Sequence, residues 1–126
     1  MTPIKLSEIL SRFVLQRNWY RPSDNRVKYA AFMPNPKNGE TSVFRTSEIS
    51  DVETWQIGEH EVAMKRGKPI LGRADIEASV VMSKDLKIVP SEPPERHANV
   101  IDWPNEKSEQ KLIAIELAER SRFYKR

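Results

Sequence analysis

Between Leu6 and Val14 the apolar residues Leu6, Ile9, Leu10, Phe13 and Val14 recur at three- and four-residue spacing, and Thr2-Pro3 ahead of them offers an N-cap followed by proline at a first helical position. This spacing predicts a first helix over residues 3–16. Arg21-Pro22-Ser23-Asp24-Asn25 reads as a turn, because proline fixes its own φ and the Asp and Asn side chains bond nearby amides. Residues 27–33 and 41–46 are rich in β-branched and aromatic side chains. Pro34-Asn35-Pro36-Lys37-Asn38-Gly39 separates them, so the two segments are expected to form a hairpin with an exposed tip.

Ser50-Asp51-Val52-Glu53 has the spacing of a capping box, in which the serine oxygen accepts from the amide three residues on and the glutamate reaches back. A helix should start there and run through Trp55, Val62 and Met64 to Arg66, with Gly67 taking the left-handed cap position. Gly58 in its middle costs such a helix about 1 kcal/mol relative to alanine. Residues 74–80 alternate apolar and polar, the pattern of a half-buried strand, and 86–89 follow as its hairpin partner after Ser83-Lys84-Asp85. Pro90 to Pro94 is a stiff connector, 97–102 a short strand, and Pro104-Asn105-Glu106 opens a last helix carrying Leu112, Ile113, Ile115, Leu117 and Ala118. Arg120, Arg122, Lys125 and Arg126 continue its helical pattern and complement the negative end of the helix dipole. The expected fold is α+β, with helices packed on a mainly antiparallel sheet of four or five strands in the approximate order αββαββ(β)α.

A chain of 126 residues suits a single small domain, here 1–126. With 38% hydrophobic and 31% charged residues it has the material for a core, which excludes a fully disordered or collagen-like chain. No apolar run approaches the ~18 residues that cross a bilayer, and the first twenty residues lack the pattern of a secretory signal. A soluble, cytoplasmic protein with no membrane partner is expected. The absence of cysteine removes disulfides, thiolate metal sites and a cysteine nucleophile. The formal charge is only +3, but it is unevenly spread. Residues 1–46 carry eight Lys and Arg against three acids, and a local positive field of that kind attracts phosphates.

Candidate chemistry is sparse. Gly67-Lys68-Pro69-Ile70-Leu71-Gly72-Arg73 is an incomplete match to a phosphate loop, since a Walker motif needs Lys and then Ser or Thr after its second glycine. Glu59-His60-Glu61 places neighbouring side chains in different directions on a helix, so neither a metal nor any cofactor is expected. His97, in Arg96-His97-Ala98-Asn99-Val100, can exchange a proton near neutral pH and shares a strand face with Asn99. It is a weak catalytic candidate, because spacing alone assigns it no nucleophile. Arg45 with Thr46 and Ser47 offers one fixed cation and two hydroxyls to phosphate or carboxylate oxygens.

The broadest signal is the interleaving of Arg17, Trp19, Tyr20 and Arg21, continued by Arg26 and Lys28, which combines cations for a phosphate backbone with aromatic planes for unpaired bases. The plainer reading makes the aromatics a core edge and the arginines its solvated face. The leading expectation is a noncatalytic binding module for nucleic acid or another phosphate-bearing ligand, with Arg17, Trp19, Tyr20, Arg21, Arg26, Lys28 and Arg45 as ligand-binding residues. The alternatives are a small interaction or regulatory subunit that uses its apolar C-terminal helix toward a protein partner or a second copy, and an enzyme on a phosphorylated or nucleotide substrate using Arg45 and His97.

Overall fold

The structure, a computed structural model, describes residues 2–126. In chain order its elements are β1 (Ile9–Val14), a 3-10 turn (Arg17–Trp19), β2 (Tyr20–Arg21), β3 (Arg26–Val27), a second 3-10 turn (Tyr29–Ala31), β4 (Thr41–Arg45) and α1 (Asp51–Ile57). The helix of α1 continues through a π-helical stretch (Gly58–Ala63) into a last turn, α2 (Met64–Arg66). Then come β5 (Gly72–Glu77), α3 (Ala78–Met82), β6 (Lys87–Pro90), β7 (His97–Ile101), α4 (Lys107–Arg120) and β8 (Arg122–Lys125). Six strands form one sheet in the order β6-β7-β4-β1-β5-β8, and β2 and β3 form a separate ribbon. Every pairing is antiparallel. The class is α+β with a mainly antiparallel sheet, as expected, but with six strands plus two where four or five were expected.

Alternation along the strands sends side chains to two faces and makes two cores. On one face Leu10, Val14, Val43, Ala74, Ile76 and Val100 pack with Phe32, Val81 and Leu117 from the elements laid over them. On the other, Phe13 and Phe44 pack with Ala63 and Ile70, and Trp55, Ile57 and Val62 lean on that cluster.

The central strand β1 corrects the expected helix over 3–16. A strand buried on both faces needs apolar residues in pairs, and Ile9-Leu10 and Phe13-Val14 are such pairs, four residues apart. Ser11 and Arg12 lie between them, which made the segment look amphipathic and helical. Ser11 is fully buried and is satisfied by Thr46 Oγ1 at 2.7 Å and Asp75 Oδ1 at 2.6 Å. Those partners are 35 and 64 residues away, beyond the reach of local pattern.

Other boundaries shift for similar reasons. Residues 27–33 are not the partner of β4: after Val27 the chain coils through Tyr29–Ala31 and buries Ala31 and Phe32, and β4 pairs instead with β1 and β7. The strand expected over 74–80 ends at Glu77, where Ala78–Met82 turns helical and so buries Val80 and Val81 in succession. β6 pairs with β7, not with the preceding strand. The last helix stops at Arg120. Ser121 is extended, its Oγ donates to Ala118 O at 2.8 Å, and Phe123 follows it into the core opposite Ala74 on strand β8. The capping box at Ser50 and Glu53 is present, and Gly67 ends that helix at φ 64°, as expected.

The helix over β1 is pinned by Arg73, which is 3% exposed. Its guanidinium lies 4.6 Å from the Trp55 ring centre and 4.7 Å from that of Tyr124, and it donates to Asp51 at 2.6 Å and Asp75 at 3.2 Å. Asp51 opens the helix, so this cluster fixes one end and leaves the other, Lys65 and Arg66, standing over the sheet. Burial pushes the Asp75 carboxyl up, and Ser11 and Arg73 pull against it. Gly58 sits where the helix touches the sheet: a Cβ there would meet Phe13 Cε1 at 2.6 Å and Ile70 Cδ1 at 2.7 Å. Gly58→Ala should therefore lower stability by about 1–3 kcal/mol through overpacking, despite alanine's better helix propensity. Urea unfolding checks this, and an unchanged or raised midpoint would contradict it.

Candidate functional site

β1 and β4 pair at only two positions, Leu10 with Arg45 and Ser11 with Phe44, before the ladder ends. A cleft of about 520 Å³ occupies the fork beyond. The Arg12, Trp19, Ser42 and His97 side chains line it together with Lys65 and Arg66 at the end of the helix, and the Pro34-Asn35-Pro36 loop forms one wall.

Arg12 spans the fork. Its Nε donates to Ala31 O at 2.8 Å and its Nη1 to Ser42 O at 3.0 Å, so the guanidinium stands in for a missing stretch of ladder. The Trp19 ring centre lies 5.2 Å away. Both acceptors are neutral carbonyls, and among the described residues neither Arg12 nor Arg66 forms an ion pair. Burial, and then the charge of Arg66, bring the Arg12 guanidinium down to about 10. The acid that lines the cleft, Glu61, is engaged with Lys65 at 2.9 Å. The result is a positive fork in which burial and the charge of Arg66 both disfavour the charged form of Arg12.

His97 enters from β7 with one edge against the Phe44 ring, at 5.2 Å between centres. Its Nδ1 lies 3.0 Å from Ser91 O and its Nε2 2.5 Å from Ser42 Oγ. A carbonyl only accepts, so Nδ1 carries the proton and donates, and Nε2 is left to accept from the Ser42 hydroxyl. Asn99 faces Ser42 across the β4–β7 ladder. Ser42 was missed from the sequence because it belongs to a polar Thr41-Ser42 step in a strand 55 residues from His97. Arg12 fell inside the expected first helix, and Lys65 and Arg66 at the end of the second; their convergence in one cleft depends on the tertiary fold.

The sequence candidates do not converge on one place. Trp19 and His97 line the fork. Arg21, Arg26 and Lys28 border a separate groove beside Tyr29 and α4, where Arg21 pairs with Asp24 at 3.6 Å. Tyr20 stacks on Phe123 with centres 5.0 Å apart, and Arg17 is exposed on the first 3-10 turn. Arg45 lies in a third depression with Lys5 and Glu8, and its neighbour Phe44 is the residue opposite His97 in the ladder, so Arg45 and His97 occupy opposite sheet faces. The structure does not bring that pair together. α4 turns Ala114 and Leu117 into the core, half-buries Ile113, Ile115 and Ala118, and leaves Leu112 exposed. No group of three or more potential metal ligands occurs among the described residues, and no helix there is long and apolar enough to cross a membrane.

Comparisons with protein-family models, with curated proteins and with solved structures find no match to this chain.

Arg45 is fully engaged. It donates to Glu8 at 2.5 and 2.9 Å and to the backbone carbonyls of Thr2 and Pro3. The hydrogen bond from Arg45 holds the Glu8 carboxyl below its ordinary 4.5, with burial opposing. A depressed folded value means the stabilisation is complete above about pH 4.5 and is lost as pH falls through the folded value. Glu8→Gln should therefore cost about 1–3 kcal/mol near neutral pH and distinctly less at about pH 3. Urea unfolding of both proteins at the two pH values measures the difference, and a cost independent of pH would contradict the assignment.

Proposed function

We propose that this protein binds a phosphate-bearing ligand, nucleic acid included, in the fork between β1 and β4. One observation carries the reading: Arg12, a guanidinium brought down by burial, is held by two neutral carbonyls beside a second unpaired arginine, Arg66. Taking a guanidinium out of water without a counter-charge is costly, and an anion seated between the two arginines removes that cost. Arginine suits the task because its planar fork matches two phosphate oxygens at once. Trp19, already in the cleft, offers an aromatic surface to a base or sugar, while Lys65 at the rim is paired with Glu61.

This reading keeps the ligand class expected from the sequence and moves the site. Of the residues first singled out, Trp19 stays; Arg21, Arg26 and Lys28 become a second basic strip. The rival reading, an interaction subunit presenting α4, has less to stand on, because the apolar side of that helix is already turned to its own sheet.

Binding to a mixed-sequence, fluorescently tagged single-stranded oligonucleotide, titrated over salt, tests the proposal. Affinity should fall steeply with salt, and Arg66→Ala, at an exposed helix end, should weaken binding about tenfold and reduce the log–log salt slope by about 1. Arg21→Ala should have a smaller effect. Binding that is absent, or insensitive to Arg66, would overturn the reading.

A further inference from the structure

The fork holds a second feature that anion binding does not use. Ser42 Oγ lies 2.5 Å from His97 Nε2, and His97 Nδ1 lies 3.0 Å from the Ser91 carbonyl. That carbonyl fixes the tautomer, since it demands a proton on Nδ1. The ring is fixed as well, by this bond and by the edge contact with Phe44. A serine hydroxyl donating to an imidazole whose other nitrogen is held by a third group is the arrangement that turns a poor nucleophile into a good one. Both side chains are partly exposed and both line the cleft. The Arg12 guanidinium, which lines the same cleft, is bonded to the backbone carbonyl of Ser42 itself.

We propose that Ser42 is a catalytic nucleophile toward phosphodiesters, with His97 as its general base. The substrate class rests on the phosphate-binding reading above; the activation of Ser42 rests on the Ser42–His97–Ser91 geometry alone. As Ser42 Oγ attacks phosphorus, its proton passes to His97 Nε2 and the bond from phosphorus to the leaving oxygen breaks. The leaving alkoxide takes that proton back from His97. Ser42 is then esterified to the phosphate, which still carries its other substituent. A water molecule gives a proton to Nε2 and attacks phosphorus. The Ser42–phosphorus bond breaks, and Ser42 recovers its proton from His97. The sum is diester plus water giving a phosphomonoester and an alcohol, with no oxidant or further reactant. Arg12 and Arg66 line the same cleft, and guanidinium charge is the stabilisation such a transfer needs as charge spreads over the equatorial phosphate oxygens.

The test uses the whole chain with bis(p-nitrophenyl) phosphate, following release of p-nitrophenolate, alongside the oligonucleotide binding measurement. The wild-type protein should release nitrophenolate above the buffer rate, and Ser42→Ala and His97→Asn should each slow it by about 100-fold or more. A fluorophosphonate should esterify the wild-type protein once, on Ser42 by peptide mapping, and His97→Asn should suppress that labelling. Melting curves of the two variants show whether they are folded, and labelling of the wild-type protein decides the question if either is not. Release that persists in folded Ser42→Ala, no release by the wild type, or labelling elsewhere would overturn the proposal. Oligonucleotide binding without turnover sinks this inference alone; loss of binding with Ser42 still labelled sinks the phosphate reading and leaves the nucleophile.

Discussion

A guanidinium without a carboxylate lies at the centre of this fold. Arg12 occupies the middle strand of the sheet, between residues that must be buried, and its charge has to be accommodated where β1 and β4 part. The protein meets that requirement with the carbonyls of Ala31 and Ser42 and with the Trp19 ring. Each contact ties a different segment to β1: the coil after β3, the part of β4 that does not pair with β1, and the first 3-10 turn. The fork, the folding of residues 28–33 over it and the positive cleft are consequences of one buried charge.

The other face solves the same problem differently. Arg73 is more deeply buried than Arg12, yet it has two carboxylates and two aromatic rings. Its charge is neutralised within the fold, and its role is to hold the helix that starts at Asp51 against the sheet. The contrast gives the site its meaning: two arginines on one sheet, one compensated by acids of its own chain and one not. Only the second lines a cleft.

Local chemistry was legible wherever the decisive contact was local. The capping box at Ser50 and Glu53 and the left-handed glycine at Gly67 depend on neighbours within three residues, and both are present. β7 and α4 were also legible from their spacing. The first strand was not, because Ser11 and Arg12 are polar residues that point into the protein and are satisfied by Thr46, Asp75, Ala31 and Ser42. β8 was hidden because Arg122 and Lys125 continue the charge pattern of α4, while Phe123, the residue that enters the core, and Tyr124 are a short aromatic pair among basic neighbours. The site was half visible. His97 stood out as a titratable residue in a strand, and Trp19 as an aromatic among cations. Their partners Ser42, Arg12 and Arg66 come from three elements that only the sheet order brings together.

The charge of Arg12 is the one that an anion seated in this cleft should answer. Arginine side-chain N–H resonances report that directly, because the Arg12 Nε–H donates to the Ala31 carbonyl within the cleft wall. In a titration with a short oligonucleotide, the Arg12 and Arg66 signals should shift together and saturate, while the Arg45 signal, locked by Glu8, stays in place. An unmoved Arg12 signal, or shifts confined to Arg21 and Arg26, would contradict the account.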